Sequence, residues 1–191
     1  MAKAFSESEM EAIRRKLIES CQVCWEKYGY RKTNVSEIAA MSGISTGMFY
    51  NFFPSKEMIF ITTANTFNEK LYALLRDSKP PNPIKYDLAK GFNLIVGELS
   101  RNTWIFSLRE YFEVILRKLP KDFLQQEYNK DLFDIAGFIE LYGLKPKTSI
   151  EEITAVVYVI MLSLNFTDVI GQHHVFALEM LIDMAIENLF E

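Results

Sequence analysis

Apolar residues in this chain recur at three- and four-residue steps almost from end to end, while alternating runs of β-branched residues are nearly absent. That period belongs to helices that each bury one face, so the chain reads as all-α. Ile13, Leu17, Cys21, Cys24 and Tyr28 mark the first stripe, and Phe60, Ala64, Phe67, Leu71 and Leu75 mark a later one. Pro and Gly fall between stripes, where they end helices. Ser6 with Glu9 and Ser8 with Glu11 both fit a capping box, for a first helix that begins near Ser8 and stops near Gly29. Further helices are expected at 34–41, 45–52, from Ser55 onward, around 88–99, 104–118, 121–142, 150–170 and 173–190, nine in all. Pro80, Pro81 and Pro83 form the clearest connector.

The tightest spacing lies at 34–52, and it meets the mechanical needs of a helix-turn-helix. Val35, Ile38, Ile44, Phe49 and Phe52 are apolar where two crossed helices share a small core, and Ala39 is small at their crossing. Gly43 supplies the turn. On the second helix Phe49, Phe52 and Phe53 share one face, leaving Gly47 and Asn51 opposite, with Met48 and Tyr50 flanking and Ser45 and Thr46 at the amino-terminal tip. Those six residues form the candidate reading surface for a major groove. Asn51 suits an adenine edge, Met48 a thymine methyl, and Gly47 a close backbone approach. Thr33, Tyr50 and Lys56 suit phosphate, and Asn34, which caps the first of the two helices, completes the candidate DNA-contacting set.

Charge supports this division weakly. The formal net charge is −4, yet the first sixty residues carry eight Lys and Arg against seven Glu, and the acidic excess falls in the remainder. The expected domains are therefore 1–54, which holds DNA, and 55–191.

Residues 29 to 57, GYRKTNVSEIAAMSGISTGMFYNFFPSKE, resemble the signature of the tetracycline-repressor (TetR-type) family. The resemblance is carried by Gly29-Tyr30, Thr33, Ile38-Ala39, Gly43, Gly47, Tyr50, Phe53 and the run Pro54-Ser55-Lys56-Glu57. It implies a three-helix DNA-binding domain, a larger helical domain for a small-molecule inducer, and a homodimer joined by the last two helices. Thr46 stands where many relatives carry Lys or Arg, and Met48 where a small or hydroxyl-bearing residue is common, so the operator sequence does not follow from the resemblance.

The dimer is also expected on separate grounds. Residues 155–162, Ala-Val-Val-Tyr-Val-Ile-Met-Leu, are apolar at every position, and the terminal helix is similarly rich, so pairing both with symmetry mates would cover them. Such a dimer would offer two reading heads to a palindromic operator, and a central place in a monomer is the alternative. Aromatic residues crowd the middle helices. Phe67, Phe92, Trp104, Phe112, Tyr128, Phe138 and Phe166 are candidate lining for a mostly apolar effector, with Arg109, Glu113, Asn165 and Asp168 as polar anchors, although such stripes also serve as plain core.

Other readings find less support. Cys21 and Cys24 fall on an apolar stripe, which suits core thiols better than a redox or zinc pair, since His173 and His174 lie far along the chain. No nucleophile or carboxylate set surrounds those histidines recognisably, so neither catalysis nor a cofactor is expected. The amino terminus lacks the apolar run of a signal, and 153–170 is too broken by polar residues to span a bilayer, so a cytoplasmic protein is expected. A helical carrier of small molecules without DNA binding is the remaining alternative.

Overall fold

Side-chain caps mark where the first four helices begin. A computed structural model describes residues 5–191, apart from the side chains of 108–110, 112, 132, 133, 165, 167 and 168. In it Ser6 accepts from the Glu9 N–H while Glu9 reaches back to the Ser6 N–H at 2.8 Å, which starts α1 (Glu7–Lys32) one step ahead of the Ser8 alternative. Asn34 caps α2 (Val35–Met41), Ser45 caps α3 (Thr46–Phe49), and Ser55 accepts from Met58 N at the start of α4 (Lys56–Asp77). Among the described residues there is no β-strand, only an isolated antiparallel bridge between Pro146 and Phe190.

The chain forms two compact units. The first comprises residues up to Glu69 together with 107–119, and the second comprises 70–106 with 120–191. The expected boundary at 54/55 therefore marks the end of the helix-turn-helix proper, while the unit containing it extends along α4 and takes in a later segment.

In the first unit, Leu17, Cys21, Trp25, Ile38, Ala39, Phe49, Ile59 and Phe60 are all buried. Full burial of each large apolar side chain contributes about 1.5–3 kcal/mol relative to exposure. Burial also pushes the Cys21 thiol up to about 12, so it stays protonated, as a core residue should. Two glycines take left-handed backbone. Gly43 (φ +76°) turns α2 toward α3, and Gly29 (φ +71°) breaks α1 before Tyr30. That second break explains a correction. Thr33, expected to face phosphate, is 1% exposed, and its hydroxyl is shared between the carbonyls of Cys24 and Gly29 beside the break.

Residues 107–119 were expected inside one helix, 104–118. Instead Thr103–Tyr111 winds as a 3-10 helix and only Phe112–Lys118 is α (α6). The run Trp-Ile-Phe-Ser is a poor α-helix former, which favours the tighter winding. Within the first unit Trp25 Nε1 donates to Ser107 Oγ at 2.6 Å, Tyr111 lies 5.2 Å from the Tyr30 ring, and Ile115 and Leu119 are buried.

The second unit contains α5 (Lys85–Arg101), α7 (Lys121–Leu141), α8 (Ile150–Ser163), α9 (Thr167–Ile170) and α10 (His174–Leu189). Leu88, Ile95, Val96 and Leu99 bury one face of α5, against Leu178, Ile182 and Ile186 of α10. Tyr142 donates its hydroxyl to the Leu75 carbonyl at 2.9 Å, and Gly91 sits so near the Leu75 side chain that no Cβ fits without a shift. The helix expected over 150–170 stops at Ser163, whose hydroxyl takes the Ile160 carbonyl, and a 3-10 turn follows before α9. No described helix is long and apolar enough to cross a membrane.

Candidate nucleic-acid interface

The helix-turn-helix presents the face that its periodicity implies. Phe49 and Phe53 are 0% and 1% exposed, whereas Ser45, Thr46, Gly47 and Asn51 are exposed, Tyr50 is 51% exposed and Met48 is half-buried. The Tyr50 ring stands edge-on to Phe49 at 5.3 Å, which fixes its direction without burying it. Asn51 Nδ2 points to the Met48 sulfur at 3.6 Å. A Cβ on Gly47 would meet nothing nearer than Ser45 Oγ at 3.9 Å, so the fold itself does not ask for glycine there. Ser45 spends its hydroxyl on the Met48 N–H, and Asn34, also exposed, accepts from Glu37 N and Ser36 Oγ.

Lys56 does not reach outward as expected. Its ammonium lies 4.5 Å over the Tyr30 ring and 5.6 Å over Phe60, and burial lowers its pKa. Ring faces thus hold the ammonium from one side.

Behind Lys56 lies a polar network that local spacing does not reveal. Glu57, 7% exposed, accepts from the Tyr30 hydroxyl at 2.7 Å and from Lys118 Nζ at 2.8 Å. Burial alone would raise the Glu57 carboxyl, but the hydrogen bonds from Lys118 and Tyr30 outweigh it and hold the group at about 2. Arg14 is the other residue that sequence reasoning missed. It donates to the Phe52 carbonyl and covers the Phe53 ring, a link across 38 positions that no local pattern signals.

The candidate effector residues are divided between the two units. Phe67 is core at 5% exposure and belongs to the first unit, and the Phe112 side chain lies outside the described residues, as do Arg109, Asn165 and Asp168. Glu113 is exposed and reaches Arg117 at 3.4 Å. In the second unit Phe92 and Trp104 are half-buried, Phe138 packs on Tyr72 at 5.4 Å, and Tyr128 lies 6.3 Å from Tyr158, whose hydroxyl donates to Asp131. Phe166 instead joins an apolar surface. Val159, Leu162, Phe166, Val169, Phe176, Met180, Leu181 and Met184 on and between α8, α9 and α10 are all exposed in the single chain.

Comparison with known proteins bears on the first unit most directly. Residues 19–62 match the family model of bacterial regulatory proteins, tetR family. The uncharacterized HTH-type transcriptional regulator YuxN of Bacillus subtilis is 33% identical over 70 residues, 37% of this chain and 24% of that protein. The HTH-type transcriptional repressor Rv1474c of Mycobacterium tuberculosis is 29% identical over 69 residues, 36% of this chain and 37% of that protein. The matches thus span about a quarter to a third of these relatives' length. Among solved structures, Thermus thermophilus FadR, a TetR-family transcriptional repressor in complex with lauroyl-CoA, superposes with a TM-score of 0.70 over 92% of this chain and 94% of that one at 18% identity. That likeness extends the shared fold to the second unit.

Proposed function

From a chain whose residues 19–62 match the family model of bacterial regulatory proteins, tetR family, we propose a dimeric, ligand-responsive transcription regulator, a repressor that leaves a palindromic operator when a small, mostly apolar molecule binds. The observation that carries this reading is the outward face of α3. Thr46, Gly47, Tyr50 and Asn51 project from a helix-turn-helix whose other face is sealed, and the fold makes no use of Gly47. A face of that kind fits a major groove, with Asn51 on a base edge, Met48 on a thymine methyl and Tyr50 on phosphate.

The apolar surface of α8, α9 and α10 supports a two-fold dimer, since contiguous exposed patches of this sort mark association sites. An effector would act by favouring the dimer whose two heads do not match half-sites about 34–36 Å apart. The aromatic side chains of the second unit, Phe92, Trp104, Tyr128 and Phe138 among them, and the lauroyl-CoA held by FadR support a mostly apolar ligand. Two covalent routes lead from the second unit into the head, α4 and the segment 107–119 that is anchored there by Ser107, Tyr111 and Lys118. A DNA-binding regulator of this type works in the cytoplasm.

Selection of bound duplexes from a random library tests the proposal, and failure to enrich a palindrome overturns it. On the selected operator Asn51→Ala should cost about 1–3 kcal/mol, concentrated at one symmetric base pair. Equal losses on every single-base variant would remove Asn51 from the reading surface.

A further inference from the structure

The short recognition helix cannot hold its own shape. α3 is a single turn, Thr46–Phe49, and the chain continues to Phe53 through the bonds Asn51 N to Met48 O, Phe52 N to Phe49 O and Phe53 N to Phe49 O. One turn in water is unstable, because few bonds repay the ordering of its backbone. Past its end, the carbonyl of Phe52 receives Arg14 Nη1 from α1 at 3.4 Å. The same guanidinium lies 4.5 Å from the centroid of the Phe53 ring, which is itself 1% exposed.

We infer that Arg14 is a positioning residue for DNA reading: it ties down Phe52 and Phe53 from behind and thereby holds Tyr50 and Asn51 in register on the outer face. The inference rests on the proposed DNA-binding function. It assigns to Arg14 a role opposite to the one that its charge suggests, since a basic residue in such a head would ordinarily be counted as a phosphate contact. Its neighbours Arg15 and Lys16 are exposed, whereas Arg14 is half-buried with both its hydrogen-bonding edge and its flat face engaged. The planar fork matters. Lysine keeps the charge but cannot lie flat on a ring while donating sideways to a carbonyl.

Full-length wild type, Arg14→Lys and Arg14→Met are compared on the duplex that wild type selects from a random library, on its single-base variants and on a scrambled duplex, between about 50 and 200 mM salt. Amide exchange at Tyr50–Phe53 is followed in the DNA-free proteins. Arg14→Lys should lose about tenfold in affinity for the selected duplex and flatten the differences among its variants. Its salt slope and scrambled-duplex affinity should stay at wild-type values, while exchange at Tyr50–Phe53 speeds up. If Arg14→Lys matches wild type while Arg14→Met weakens all duplexes equally and lowers the salt slope by about one, Arg14 is a phosphate contact and the inference fails. Wild type that selects no duplex, with exchange still faster in Arg14→Lys, would instead overturn the DNA-binding function and leave Arg14 a purely structural brace.

Discussion

Glutamates at Val159 and Phe176 should split the proposed dimer into single chains without unfolding them. Both side chains stand on the apolar surface of α8 and α10 at 67% and 68% exposure, so the single chain loses almost no packing when they change. In a dimer the same positions would force several carboxylates into an apolar seam, where each unpaired charge costs several kcal/mol. The consequence for DNA is larger than the change itself. Two heads on one operator bind as a linked pair, and separating them removes an advantage of about 10²–10⁴-fold. Sedimentation of Val159→Glu/Phe176→Glu should therefore show one chain per particle, with helicity and melting of the first unit intact. A variant that remains dimeric would place the association surface elsewhere.

The second large effect concerns Glu57. Glu57→Gln keeps the shape and one acceptor oxygen, yet removes the charge that Lys118 and Tyr30 both serve. Hydrogen bonds to a charged acceptor contribute about 1.5–3 kcal/mol each, so a loss of about 2 kcal/mol at neutral pH is expected. Its pH dependence identifies the cause. The folded carboxyl sits at about 2 against an ordinary 4.5, so the charged form is favoured by folding and its contribution is complete above about 4.5. Below that value the unfolded chain takes up the proton first, and the advantage of wild type over Glu57→Gln shrinks as pH falls toward 2. Urea unfolding at pH 7 and pH 3 checks this directly, and an unchanged gap between the two would rule out the charge as the source.

Local chemistry made much of this architecture legible. Asn34, Ser45 and Ser55 are caps because their side chains satisfy N–H groups three residues ahead, and Gly43 turns because its φ is positive. The inward Phe49 and outward Asn51 follow from a 100° step. What failed to show was whatever depends on partners far along the chain. Thr33 looked like a phosphate ligand because nothing nearby announced that the break at Gly29 would claim its hydroxyl. The place of Lys56 over a ring was hidden for the same reason, since Tyr30 lies 26 positions back. Within 104–118 the apolar spacing marked a helix but not its winding, which is 3-10 over Thr103–Tyr111. For the effector site, aromatic residues carry no local mark that separates lining from core, and Phe67 proved to be core.

The segment 107–119 has a bearing on how such proteins can be recombined. Because Ile115 and Leu119 are buried in the same unit as Trp25 and Phe60, the reading head is not a module that ends where its motif ends. A chimera that joins residues 1–69 to a foreign sensor leaves a hole in that interior and strands the indole N–H of Trp25 without its serine. Exchange of sensors would have to carry this inserted strap along with the head, so heads and sensors in this architecture are expected to be inherited together rather than shuffled freely.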